Sequence, residues 1–179
     1  MGRDKALLPW GDATLLDHAV ARLRQVCDEV RLLTGGTARY LDRGLAIDLD
    51  ARPDAGALGG LLAGLEVLGP ARAGLFLAVD VPHASVDLLA CLRDSGADAD
   101  AVVPVPPAGP EPLCAFYRGT CADAVRARLD AGERRLTCFW PDVRVRPLGP
   151  EELARFGDPL RLFANLNTPD DWARDCEPR

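Results

Sequence analysis

Apolar positions along the chain switch between helical and strand spacing, and the switches mark a run of alternating elements. From Thr14 to Cys27, Leu15, Leu16, Ala19, Val20, Leu23 and Val26 fall on one face at a period near 3.6, which predicts a helix. Glu29–Thr34 then reads as a strand halted by Gly35-Gly36, and Leu45–Leu49 as a second short strand before a Pro/Gly loop, Asp50–Gly56. Leu58–Leu68 is a Leu/Ala/Gly helix, apolar nearly all round and so expected to be buried. Gly74–Val79 is a continuous apolar run ending in Asp80, the pattern of a central parallel strand covered on both faces. A Ser-capped helix over Ser85–Asp94, a strand over Asp100–Val105, a flexible loop from Pro106 to Pro112 and a strand over Leu113–Tyr117 follow. The remainder predicts an amphipathic helix over Cys121–Ala131, a half-exposed strand over Val143–Arg146 and a final helix over Pro169–Arg174 that opens on proline. No internal repeat is present. Strands alternating with helices predict one α/β domain spanning 1–179, with a mostly parallel sheet whose ligands sit at the carboxyl ends of its strands.

Composition narrows the class. With 48% hydrophobic and 27% charged residues, a chain of 179 residues can bury a core. A net charge of −6 argues against general nucleic-acid binding, and no apolar run reaches a membrane span or a signal peptide. The six cysteines contain no C-x-x-C pair and the two histidines lie far apart, so reduced structural thiols in a cytoplasmic protein are expected rather than a zinc site. Lys5 is the only lysine among 21 basic residues.

Several residues could carry chemistry. Asp80, directly after an apolar strand, suits a hard cation such as Mg²⁺, and equally suits capping a loop or the next helix. Lys5 beside Gly2 and Arg3 offers a compact charge for phosphate, or is a stray surface lysine. Gly56-Ala57-Leu58-Gly59-Gly60 lets backbone N–H groups meet an anion at a helix start, or merely eases helix–sheet contact. Asn165-Leu166-Asn167-Thr168-Pro169 sets two amides before a helix, where capping is the plain reading. His83 reads as a loop residue with a possible role as base, and Arg134-Arg135 as a solvated pair that could meet phosphate.

In chain order, M-G-R-D-K-A-L-L-P-W-G, D-x5-G-A-L-G-G-L, F-L-A-V-D-V-P, A-G-E-R-R-L and N-L-N-T-P-D-D together resemble the molybdenum cofactor guanylyltransferases, over Met1 to about Ala173. The resemblance implies a three-layer Rossmann-like nucleotidyltransferase fold. It implies transfer of GMP from GTP to the phosphate of molybdopterin, with pyrophosphate released. By it, Lys5, with Arg3 and Gly2 in the same loop, meets nucleotide phosphates and Asp80 binds Mg²⁺. Asp50 and the Gly56 and Gly59 segment lie near the nucleotide, and Asn165 and Asn167 face the pterin. The Gly-rich segment is similar to the G-P-L-A-G of guanylyl enzymes, which favours guanine over cytosine. GTP, molybdopterin and transient contact with cofactor-delivery proteins are the implied partners.

The family pattern opens with a strand and L-A-G-G-x-S-x-R ahead of M-G-x-D-K, whereas Met1 here falls inside that motif. A start codon read too late is the first expectation, with a real truncation or a separately supplied segment as alternatives. On that reading the chain lacks its first strand and most of its phosphate loop, and little or no transfer is expected from it unaided. A relative that transfers CMP or another nucleotide, and a pseudoenzyme that holds molybdopterin without turnover, are the competing functions.

Overall fold

A computed structural model describes residues 4–50 and 52–164. Gly2, Arg3, Asn165, Asn167 and the helix expected over Pro169–Arg174 lie outside the described residues.

After a single 3₁₀ turn at Lys5–Leu7, the chain forms a two-residue-strand hairpin, β1 (Pro9–Trp10) and β2 (Ala13–Thr14), whose tight turn uses Gly11 at φ 60°. Helix α1 (Leu15–Leu23) begins where Thr14 and Asp17 exchange backbone and side-chain hydrogen bonds in a capping box. Strands β3 (Arg31–Leu33) and β4 (Ala46–Asp48) precede helix α2 (Gly56–Leu68), strand β5 (Ala73–Leu77) and helix α3 (Val86–Asp94). Strands β6 (Ala101–Pro104) and β7 (Cys114–Arg118), helix α4 (Ala122–Asp130), strand β8 (Val145–Leu148) and the short helices α5 (Pro150–Leu153) and α6 (Pro159–Leu162) complete the order.

The main sheet runs β5-β7-β6-β8, and β3 pairs with β4 apart from it. The α/β class holds, but the mostly parallel sheet does not. β7 runs antiparallel to both β5 and β6, and only β6–β8 and β3–β4 are parallel. The reason is length: the link 105–113 is shorter than the roughly dozen residues a parallel crossover needs, so the chain turns back on itself. Nor is β5 central, since among the described residues it pairs with β7 alone.

Alternation within the strands divides the core in two. Leu75, Val102, Cys114, Phe116 and Leu148 face α3, where Leu88, Leu89 and Leu92 are fully buried. Phe76, Ala101, Val103, Ala115 and Tyr117 face α2 and α4, meeting Leu58, Leu61, Leu65, Val125 and Phe139. Gly64 permits the close approach of α2, because a Cβ there would stand 2.5 Å from the Phe76 ring. A third, smaller cluster of Ala6, Leu16, Val20 and Leu32 serves the β3–β4 flank. Between that flank and β5 lies an apolar cavity of about 690 Å³, lined by Leu32 and Leu33 on one side, Leu75 and Leu77 on the other, and α1 and α2 above and below.

Five cysteines among the described residues are unpaired thiols, and no group of three or more metal-ligating side chains forms there. No described helix is long and apolar enough to cross a membrane.

Candidate functional site

Lys5 opens the 3₁₀ turn, and Asp4 fixes that turn by accepting from the Ala6 N–H at 3.2 Å. Asp4 is itself held by the Tyr40 hydroxyl, at 2.9 and 3.0 Å to its two oxygens, and by Arg39. Tyr40 adopts a left-handed backbone at φ 61°, uncommon for a residue with a side chain, to reach this position. Asp80 stands just past the end of β5, in a turn where Val81 N–H donates to Ala78 O. The Lys5 Nζ lies 3.8 Å from Asp80 Oδ2, both side chains about one-third exposed. Two residues 75 positions apart, each singled out from the sequence, are therefore brought together at a strand's carboxyl end.

Glu111 joins them, and nothing in its residue pattern marked it beyond being the acidic residue in a Pro/Gly loop. Its N–H donates to Pro104 O at 2.9 Å, extending the turn between β6 and β7. Burial, and secondarily the charge on Asp80, pushes its carboxyl up to about 6. Behind it, the buried Cys114 thiol is pushed up to about 12, mainly by loss of water, so it is no nucleophile. His83 meets Trp10 edge to face at 5.5 Å between ring centroids, which places it against the hairpin.

Asp50 and the Gly-rich helix start form a second group. The Asp50 N–H donates to Gly35 O at 2.8 Å, and its carboxylate rests on the first turn of α2. A Cβ on Gly60 would come 3.6 Å from Asp50 Oδ2, and one on Gly59 would collide with Arg52 O at 2.8 Å. Asp50 Oδ1 is buried with no hydrogen-bond partner, and burial raises its pKa. Gly56 takes φ 61°, and no side chain caps the N-terminus of α2, which follows directly on a 3₁₀ turn at Pro53–Ala55; a helix start of this kind favours an anion. Asp50, Gly56 and Gly60 line the same cavity as Ala6 and Val79, the neighbours of Lys5 and Asp80. The Asp50 group thus lines that cavity, and Lys5 and Asp80 lie one residue along the chain from its wall. Arg134 is not part of it: its guanidinium donates to Leu129 O and Glu133 O at the end of α4, a C-terminal helix contact. No hydrogen bond or ion pair of the Arg135 side chain is found at the opening.

A family profile described as the MobA-like NTP transferase domain matches residues 1–142. The chain is 35% identical over 176 residues to a probable molybdenum cofactor guanylyltransferase of Chloroflexus aggregans, covering 95% of this chain and 84% of that protein. It is 32% identical to one from Pelotomaculum thermopropionicum, covering 97% and 84%. Among solved structures, the molybdopterin-guanine dinucleotide biosynthesis protein A of Archaeoglobus fulgidus superposes with a TM-score of 0.80 at 23% identity, covering 97% of this chain and 89% of that one. A Mycobacterium tuberculosis protein solved with manganese gives a TM-score of 0.64 at 22% identity, covering 97% and 91%.

Proposed function

Because the chain belongs to the MobA-like family of molybdenum cofactor guanylyltransferases, we propose that it transfers GMP from GTP to the phosphate of molybdopterin, releasing pyrophosphate. We read 1–179 as a single nucleotidyltransferase domain working in the cytoplasm, with no nucleic acid or membrane partner. The observation that carries the reading is the approach of Lys5 Nζ to Asp80 Oδ2 at 3.8 Å, one cation and one carboxylate at a strand end.

In this reading a phosphate oxygen of molybdopterin attacks the α-phosphorus of GTP in line, the bond to the β-phosphate oxygen breaks, and that oxygen leaves as pyrophosphate. Lys5 holds the nucleotide phosphates, together with Arg3 and Gly2. The helix start around Gly56 and Gly59 and the Asp50 carboxylate border the nucleotide. Asn165 and Asn167 serve the pterin side. Asp80, with Glu111 nearby, would hold Mg²⁺ through the hard carboxylate oxygens that this ion takes. Mg²⁺ held there would supply positive charge against the charge that builds on the phosphates during transfer. Most of the acceleration then comes from positioning and charge compensation by fixed groups.

The cavity between β3 and β5 is further proposed as the seat of one more strand, since each of those strands is paired along one edge only among the described residues. Transfer is therefore expected from protein in which that seat is filled. With molybdopterin as acceptor, GTP should outcompete CTP by at least about tenfold, since a site built to hydrogen-bond one base rejects another strongly. A preference for CTP would shift the assignment to a cytidylyl enzyme. Asp80→Ala should abolish divalent-dependent transfer with the fold retained, and near-normal turnover would remove Asp80 from the site. Lys5→Arg should weaken GTP binding although the charge is kept, because the planar guanidinium does not replace a compact ammonium. Equal affinity in a titration would return Lys5 to the surface.

A further inference from the structure

Arg22, on the last turn of α1, is tied to the segment that follows Asp80. Its Nη1 donates to the carbonyls of Pro82 and Ala84, the latter at 2.9 Å, and its Nε donates to His18 O at 3.0 Å. Val81 and Ala84 are 2% and 0% exposed, so this turn is sunk in the core and its carbonyls need donors from the protein. One helical turn earlier, His18 Nε2 lies 2.6 Å from Trp10 O, on the hairpin that continues from Lys5. A single helix face thus holds both strands of chain that bring Lys5 and Asp80 together.

The choice of arginine is costly. Its Nη2 is buried without a partner, no carboxylate among the described residues lies within ion-pair distance, and burial lowers its pKa. A buried guanidinium without a counter-charge is a poor packing element. What it provides is an Nη1 group, anchored to α1 through the Nε bond to His18 O, that donates to two carbonyls two residues apart; an apolar side chain cannot do this, and lysine lacks the second anchor.

We propose that Arg22 is a positioning residue for the cation site, setting the Asp80 carboxylate by clamping residues 82–84 to α1. The proposal deepens the assignment of Asp80 above and rests on it. Arg22→Met frees both carbonyls, and Arg22→Lys keeps an ammonium donor for them but loses the Nε anchor on His18 O.

The test follows Mn²⁺ by electron paramagnetic resonance in the presence of GTP, alongside amide hydrogen exchange over 81–84 and thermal melting. Arg22→Met should weaken Mn²⁺ binding about tenfold, the scale seen when groups that orient metal ligands are removed. Exchange over 81–84 should accelerate in step, with Arg22→Lys intermediate in both. Lower melting temperatures with Mn²⁺ affinity unchanged would reduce Arg22 to a structural role and overturn the proposal. If Arg22→Met does not fold, Arg22→Lys decides by the same two readouts. Failure of the cation assignment is seen separately, as Asp80→Asn binding Mn²⁺ like the unaltered protein. In that event unchanged exchange over 81–84 in Arg22→Lys overturns the clamp as well.

Discussion

The sheet β5-β7-β6-β8 and the flank β3–β4 are built from similar apolar strands, yet they are stabilised differently. β6 and β7 have neighbours on both edges and helices on both faces, and Ala101–Pro104 is buried throughout. β3 has one neighbour, alternates exposed and buried, and looks across the 690 Å³ cavity towards β5. The candidate site lies on the seam between these halves: Asp80 belongs to the closed one, Lys5 packs with the open one through Ala6 and Tyr40, and Asp50 borders the cavity. The closed half supplies rigidity, and the seam supplies polar groups whose water has been only partly removed. Local stability and chemistry are thereby separated within one chain.

The comparison breaks most sharply on core truncation. Phe139, fully buried against Tyr117 with ring centroids 6.1 Å apart, should cost about 3–5 kcal/mol when changed to Ala. Leu33, 40% exposed beside the cavity, should cost under about 1 kcal/mol for the same change. Urea unfolding of the two variants measures both, and equal losses would mean that the flank is packed as tightly as the sheet.

A smaller contrast is expected in native-state hydrogen exchange. Amides of β3 and β4 should exchange at least about tenfold faster than those of β6 and β7, because opening the flank exposes little buried surface. An occupant seated in the cavity should bring the two rates together. Matching rates in the chain alone would show one cooperative unit and remove the distinction.

The same division explains what could be read from residues alone. α1 was legible because its apolar period is a local signal, and β6 because a run of buried residues is written in the chain. The direction of β7 was not, since apolar runs look alike in parallel and antiparallel sheets; the usable cue was the short link 105–113. The β1–β2 hairpin carried only a Gly-Asp turn between two-residue strands, too little periodicity to register. Lys5 and Asp80 stood out as charged residues at motif and strand ends. Arg22 and Glu111 did not, because their roles depend on contacts made at long range: Arg22 meets Pro82 across 60 positions, and Glu111 gains its character from burial near Asp80.

The smallest expected effect concerns Glu111 and whether the seam excludes water. Folded Glu111 keeps its proton to about pH 6, whereas the unfolded chain releases it near the ordinary 4.5. Between those values the folded state binds more protons, so Glu111 makes stability fall as pH rises from about 4.5 to 6. For a half-buried group the fall should be about 1 kcal/mol, less than the full shift would give. Asp50 acts in the same direction from a lower starting point, while Asp17, Asp48 and Asp100, held below the usual range by hydrogen bonds to Thr14, Arg31 and Arg144 respectively, act at more acid pH. Glu111→Gln should therefore reduce the slope of the urea midpoint between pH 4.5 and 6 without flattening it entirely. An unchanged slope would mean that Glu111 stays hydrated in solution, and the seam would then be as open to water as the cavity beside it.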